Sequence, residues 1–266
     1  AAGNMHYEFQ VDSEDEIGYL ASCLNYMASE IARSEDDQKK FVANVSHDFR
    51  SPLTSIRGYL EAMLDGTIPP EMQGRYLNIV ISETERLTKL TNNLLTMNSL
   101  NNGSVLDISD FDITAIIRQT IGTCEGICEK KNIKFKLVFS DKALMVTADQ
   151  SKIQQVIYNL VDNAIKFSNA DSSIIISAYE KGDKIMVSVK DFGIGIPKDS
   201  ISKIWDRFYK TDLSRGKDKK GTGLGLAIVK DIIKAHDEYI DVISTEGVGT
   251  EFIFGLPRSK KQSDNY

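Results

Sequence analysis

Cysteine is scarce here, with only Cys23, Cys124 and Cys128 in 266 residues. Cys124 and Cys128 stand one helical turn apart, but no Cys or His partners flank them at metal-ligand spacing. A zinc site is therefore not expected, and the three read as reduced, mostly buried thiols of a cytosolic protein. Also missing is any apolar run near the ~18–20 residues of a membrane span, and no secretory signal opens the sequence. As it stands, the chain reads as a soluble fragment. Nor is there a dense basic stripe. Lys and Arg number 32 against 38 Asp and Glu, a net charge of −6, which argues against nucleic acid as a partner. The short cluster of Lys217, Lys219 and Lys220 lies beside glycines and suits a local phosphate contact or a solvated loop. What remains is a globular composition, 41% hydrophobic and 26% charged, long enough for one large or two ordinary domains.

The first third of the chain is helical in pattern. Ile17, Leu20, Leu24, Met27 and Ile31 alternate steps of three and four, the seam of a coiled coil. Ser34 and Gln38 keep the phase with polar residues. Phe41, Val45, Phe49, Leu53, Ile56, Leu60 and Met63 resume it with apolar ones. His47 lies two residues past Val45, a rotation of about 200°, and so belongs on the solvent face. Asp48 follows it, and Pro52, which cannot donate to the Asp48 carbonyl, is expected to bend the helix there. Gly66 then suits a helix end, and Pro69 and Pro70 suit a helix start. Tyr76, Val80, Leu87, Leu90, Leu94 and Met97 form a second stripe. Two helices of about 28 residues each joined by a short turn make an antiparallel hairpin. A lone hairpin cannot bury both stripes, so dimerisation into a four-helix bundle through residues 17–100 is expected.

Asn98 to Asp110 is polar and reads as a hinge. Beyond it the pattern predicts helix over 111–131, strand over 133–139 and a long helix over 149–167. A strand pair, 174–179 and 184–190, turns at Lys181-Gly182-Asp183. A helix over 224–235 precedes strands 240–244 and 251–256. Helices with a mainly antiparallel sheet define an α+β sandwich.

Three segments of this second region carry chemistry. Asp191-Phe192-Gly193-Ile194-Gly195-Ile196-Pro197 follows a strand; its glycines permit close backbone approach to a ligand, and its acid can accept a hydrogen bond from an exocyclic amine. Gly221-Thr222-Gly223-Leu224-Gly225-Leu226 opens a helix whose free N–H groups favour phosphate oxygens. It is neither a Walker A loop nor a dinucleotide fingerprint. Asn159 and Asn163 lie one turn apart on the long helix, with Asp162 and Lys166 nearby. Buried amides there need partners. Asn163 can offer its carbonyl to Mg²⁺, and Lys166 can reach a phosphate as a point charge.

Taken in order, these motifs resemble those of bacterial two-component sensor histidine kinases, from about residue 13 to residue 257. The H box is Ser46-His47-Asp48-Phe49-Arg50-Ser51-Pro52-Leu53-Thr54, and the N box runs from Asn159 to Ser168. Two glycine boxes span 191–197 and 221–230. Ile204-Trp205-Asp206-Arg207-Phe208-Tyr209-Lys210 resembles the F box, and Gly247-Val248-Gly249-Thr250 the last glycine segment. Asp15-Glu16-Ile17-Gly18-Tyr19-Leu20 resembles the start of the second helix of a HAMP signalling domain.

The resemblance divides the chain into the end of a HAMP domain and a coiled-coil linker (1–34), a dimerisation and phosphotransfer domain (35–101), a hinge (102–110), an ATP-binding domain of the gyrase and heat-shock chaperone fold (111–258) and a polar tail (259–266). It implies that the γ-phosphoryl of Mg·ATP passes to His47, with Asp48 as acid/base partner, and then to an aspartate of a response regulator receiver domain. Asp191 and Thr250 would read adenine. Asn163 would hold Mg²⁺, with Asn159 and Lys166 supporting metal and phosphate. Phe167, Gly193, Gly195, Ile196, Gly221, Thr222, Gly223, Leu224, Gly225 and Leu226 would line the nucleotide, with Lys210 near the γ-phosphate and 210–223 as a lid. Ser51 would serve a phosphatase motif. A cytoplasmic piece of a longer membrane-anchored receptor is expected. Three positions depart from the family: Asp48 replaces the commoner Glu, Ser51 the commoner Thr or Asn, and His236-Asp237-Glu238 the usual His-Gly-Gly. The competing readings are a protein acting mainly as phosphatase of its regulator, a non-catalytic nucleotide-binding scaffold, and a gyrase-like or chaperone-like ATPase.

Overall fold

The structure, a computed structural model, describes residues 15–101, 105–211 and 221–260. It falls into two compact units, Ala1–Leu87 and Thr88–Tyr266. The first is helical. Helix α1 runs over Glu16–Leu64, 49 residues, with Asp15 accepting the N–H groups of Ile17 and Gly18 at its start. It is far longer than the roughly 28 residues expected, because the coiled-coil seam and the His47 segment form one helix. No glycine or proline stands between Tyr19 and Ser51, so the polar stretch at 34–40 keeps its helical phase. Helix also continues through Pro52, which is buried. Gly66 takes φ +79° in the turn, Asp65 accepts the Thr67 N–H, and Pro70 starts α2 (Pro70–Asn101). Tyr59 and Tyr76 meet across the hairpin at 5.2 Å. The α1 stripe stays half open: Phe41, Val45 and Phe49 are half-buried, and Leu53 and Leu60 are exposed. Among the described residues no helix is long and apolar enough to cross a membrane.

The second unit is an α+β sandwich. After the last turns of α2 come β1 (Ile108–Asp112), α3 (Ile113–Gly122), α4 (Glu125–Lys131), β2 (Lys134–Phe139), β3 (Met145–Asp149), α5 (Gln150–Phe167), β4 (Ser173–Lys181), β5 (Lys184–Asp191), α6 (Gly225–Ala235), β6 (Ile240–Thr245) and β7 (Gly249–Pro257). Five strands form a sheet in the order β2-β4-β5-β7-β6, antiparallel except for the β2·β4 pair. Strands β1 and β3 form a separate antiparallel pair. Alternate residues bury one face of the large sheet: Ile174, Ile176 and Ala178, then Ile185, Val187 and Val189, then Phe252, Phe254 and Leu256. Against them lie Ile153, Ile157, Leu160 and Ala164 of α5 and Ile228, Ile232 and Ile233 of α6.

Two expectations change. The polar segment 98–110 is helix as far as Asn101 and strand from Ile108, with 102–104 outside the described residues. Strand β1 buries only Phe111, so its hydropathy gives no sign of a strand. The single helix expected over 111–131 is two helices, broken at Thr123 and Cys124. Asn132, in the left-handed region at φ 52°, closes the second.

Asp149 ties three parts of this unit together. It caps α5 by accepting the Lys152 N–H (3.1 Å) and the Ser151 hydroxyl (2.8 Å), and its other oxygen takes the Asp107 N–H (3.2 Å). Its own N–H donates to His236 Nε2 (3.0 Å), whose ring in turn donates its Nδ1–H to the Ile232 carbonyl (2.8 Å). These partners hold His236 as the neutral Nδ1–H tautomer. In the turn that follows, Asp237 adopts the left-handed conformation (φ 56°), and buried Glu238 pairs with Lys184 at 2.7 Å. Burial pushes the Asp149 carboxyl up, but the hydrogen bonds from Ser151, Lys152 and Asp107 outweigh it and hold it below the ordinary aspartate value. Asp149→Ala is expected to cost about 1–3 kcal/mol at neutral pH. A lowered native pKa gives stability that is present above the ordinary value and lost as pH falls through the native one. The gap between the two proteins therefore narrows below about pH 4 in urea unfolding followed against pH.

Candidate functional site

In the first unit His47 is exposed, with 81% of its side chain in solvent, as its helical phase predicts. Asp48, 20% exposed, places Oδ1 3.5 Å from His47 Nδ1. A carboxylate there favours the proton on Nδ1 and leaves the lone pair on Nε2. Ser51 is exposed one turn further on, on the same side of the helix.

The nucleotide-type residues gather in the second unit where α5, β5, β6, β7 and α6 meet. Asp191 ends β5, 6% exposed, and its Oδ1 accepts the Gly193 N–H at 2.9 Å. A Cβ on Gly193 would overlap the Phe167 carbonyl, and one on Gly195, at φ +66°, the Thr245 carbonyl. Both glycines are thus required by close backbone approach. Ser168 and Gly193 form a bridge, and the Ile194 N–H reaches the Phe167 carbonyl, so the end of α5 is stitched to the glycine turn. Thr250 lies opposite Asp191 in the β5·β7 register and is 6% exposed. Ile196 donates its N–H to Ser244.

Asn159 is buried on α5, and its Nδ2 has no hydrogen-bond partner. A buried unmatched donor is rare and marks a place where an acceptor belongs. Gly225, the first residue of α6, would carry a Cβ 3.9 Å from that amide. The start of α6 has no side-chain cap, so its N–H groups remain available. Gly221, Thr222 and Gly223 approach it half-buried, while Leu224 is buried and Leu226 half-buried. Most of the segment expected as a lid, residues 212–220 with Lys217, Lys219 and Lys220, lies outside the described residues. Lys210 is half-buried just before them. The Phe208 N–H meets the Gly223 carbonyl at 3.0 Å. Phe208 there holds φ +63°, a costly left-handed conformation for an aromatic residue.

Asn163 is half-buried on the same helix. Lys166 pairs with Asp162 at 3.2 Å, and Lys89, in the second half of α2, pairs with the same oxygen at 2.7 Å. Burial pushes the Asp162 carboxyl up, and the two lysines more than reverse that, leaving it lowered. Among the described residues no group of three or more His, Cys, Asp or Glu is placed to hold a metal. An Mg²⁺ ion fits this donor set through Asn163, supplemented by phosphate oxygens and water, its usual manner of binding. Sequence reasoning missed Ser244 and the Lys89 partner of Asp162. One is a lone serine on an edge strand and the other comes from a distant helix, and neither position carries a local signal.

Two family models match the chain: the His kinase A phospho-acceptor domain over residues 37–103, and the histidine kinase, DNA gyrase B and HSP90-like ATPase over 148–260. The sensor histidine kinase WalK of Bacillus subtilis is 36% identical over 91% of this chain and 40% of its own length. The catalytic domain of histidine kinase ThkA is 33% identical, covering 57% of this chain and 99% of that domain with a TM-score of 0.52. ThkA in complex with response regulator protein TrrA aligns at 27% identity and a TM-score of 0.68, covering 94% of this chain and 68% of that one. The chain belongs to the histidine kinases. It spans about half the length of the curated relatives it matches.

Two glycine replacements separate architecture from ligand contact. Gly193→Ala forces its methyl against the Phe167 carbonyl and is expected to lower stability by about 1–3 kcal/mol. Gly225→Ala meets nothing closer than 3.9 Å and is expected to leave stability unchanged or raise it by up to about 1 kcal/mol through helix propensity. Thermal or urea unfolding of the nucleotide-free proteins checks both.

Proposed function

We propose that this chain is the kinase core of a two-component sensor: an ATP-dependent histidine kinase that phosphorylates His47 and passes the phosphoryl group to an aspartate of a response regulator receiver domain. The observation that carries this reading is the exposed His47 imidazole with Asp48 at its Nδ1. Asp48 keeps the proton on Nδ1, so Nε2 presents its lone pair to the γ-phosphorus. As the N–P bond forms, the bond from the γ-phosphorus to the bridging oxygen breaks, ADP leaves, and the Nδ1 proton of the charged ring is stabilised by the carboxylate. Asp191 and Thr250 read the adenine. Gly193, Gly195, Ile196, Phe167, Leu224 and Leu226 wall the nucleotide. Asn159 and the N–H groups of the 221–225 segment take phosphate oxygens, and Lys166 and Lys210 supply positive charge. Bound Mg²⁺, held by Asn163, would neutralise charge developing on the phosphates. Each of these groups positions the reactants or balances charge, which is most of what phosphoryl transfer requires.

The organisation follows the same reading: HAMP end and linker (1–34), phosphotransfer domain (35–101), hinge (102–110), ATP-binding domain (111–258) and polar tail (259–266). Homodimerisation through residues 17–100 is supported by the apolar positions that α1 leaves open, among them Leu20, Leu24, Met27, Ile31 and Leu53, each over 40% exposed. Asp15 as the cap of α1 supports a HAMP-type helix start. The membrane enters this reading only through a segment N-terminal to the sequence, which would leave these residues in the cytoplasm. The Ser51 hydroxyl, close to His47 on the helix, would orient water when phosphoryl is removed from the regulator.

Incubation with Mg²⁺ and γ-labelled ATP tests the assignment. Wild type is expected to take up acid-labile, base-stable label, His47→Gln none, and Asp48→Asn to label about 10²-fold more slowly. Equal labelling of wild type and His47→Gln would remove His47 from the mechanism. No label on either protein, with ATP still bound, would favour the regulator-phosphatase or scaffold reading.

A further inference from the structure

The Ser244 hydroxyl meets three partners at once. Its Oγ lies 2.9 Å from the Ile196 N, 3.0 Å from the Gly249 O and 2.9 Å from the Thr250 Oγ1. A serine hydroxyl has one proton and two lone pairs. The Ile196 N–H can only donate, so it takes one lone pair. The Gly249 carbonyl can only accept, so it takes the proton. The second lone pair is then the only place left for Thr250, which must donate. Thr250 is 6% exposed, and its own proton is committed to Ser244. On its other side it offers lone pairs only.

That other side is where Asp191 stands. Asp191 pairs with Thr250 across β5·β7, and Thr250 pairs with Ser244 across β7·β6. Directly opposed residues share a face of a sheet. The three side chains therefore make one row across three strands, ending in two acceptors, the Asp191 carboxylate and the Thr250 hydroxyl oxygen. The same serine anchors the far end of the glycine turn through Ile196.

We infer that Ser244 is a positioning residue: by taking the Thr250 proton it fixes Thr250 as an acceptor beside Asp191, and so tunes the pocket to a nucleobase edge that presents an amino group. This rests on the reading of the Asp191 pocket as the nucleobase site. The chemical consequence is a coupling between Ser244 and the base's amino group. Without Ser244 the Thr250 hydroxyl is free to turn, and its proton can face the amino group instead of its lone pair.

A thermodynamic cycle isolates that coupling. Dissociation constants for ATP and for purine riboside triphosphate, which lacks the 6-amino group, are measured by calorimetry on the whole 266-residue chain and on its Ser244→Ala and Ser244→Thr variants. Wild type is expected to lose roughly tenfold or more in affinity when the amino group is absent. Ser244→Ala is expected to lose about threefold or less, and Ser244→Thr, which keeps the hydroxyl, to behave as wild type. A merely structural serine would weaken both nucleotides by one factor and leave their ratio unchanged, which overturns the inference. Amide exchange at Ile196 in the nucleotide-free proteins reads the hydrogen bond itself: faster exchange in Ser244→Ala is expected, and equal exchange would remove the premise. Should wild type bind neither nucleotide, the nucleotide reading falls and this inference with it. Binding of both, with an unmoved ratio, defeats this inference alone.

Discussion

Backbone carbonyls occupy the space where Gly193 and Gly195 would otherwise carry side chains. The first belongs to Phe167 at the end of α5, the second to Thr245 at the end of β6. Because no methyl group intervenes, three chain segments far apart in sequence meet at backbone distance around the last residue of β5. Everything the second unit offers chemically follows from that approach. It puts Asp191 between the end of α5 and the β6–β7 turn, sets Thr250 and Ser244 in line with it, and turns the polar side of α5 towards the start of α6. A side chain at either glycine would separate these segments, and the acceptors would no longer lie together.

Such an approach holds only if α5 is fixed at its other end too. Asp149 does this, as cap of α5 and as hydrogen-bond partner of the residues before β1, while its N–H rests on His236 at the end of α6. The two helices that flank the pocket are thus tied by one neutral imidazole. This gives a structural reason for a histidine at position 236. The residues that follow fit their turn without glycine. Asp237 is among the residue types that enter the left-handed region at modest cost, and Glu238 finds a lysine partner for its buried charge.

Much of this was legible in the sequence wherever one face of an element is buried and the other is not. Helix α5, strands β4 and β5, and helix α6 were placed to within a residue or two because Ile, Val and Leu recur at helical or strand period. Motif spacing led to Asp191, Asn159 and the glycine segments, since those residue types are costly anywhere but at a ligand or a close approach. Strand β1 was invisible for the converse reason: it exposes most of its residues and pairs with a strand more than thirty positions later, so no local period marks it. The break at Thr123 was hidden because both sides of it are helical and no proline marks it. Ser244 went unnoticed because its importance lies in three partners brought from elsewhere, and no pattern within β6 encodes them. The length of α1 was underestimated because a polar stretch looks like a boundary until it is seen that nothing in it breaks a helix.

The lysines around Asp162 show how such a pocket can carry charge without losing stability. A half-buried carboxylate left without a cation would be costly. Lys166, proposed to meet a phosphate, is one of the two cations that now balance it; Lys89 is the other and the nearer. On the proposed reading, movement of Lys166 towards a phosphate leaves Asp162 paired at 2.7 Å rather than stranded. The cost of recruiting Lys166 is therefore that of weakening one of two ion pairs. On that reading Lys89 of α2 would bear on the nucleotide chemistry without touching the ligand, by setting how readily Lys166 is released.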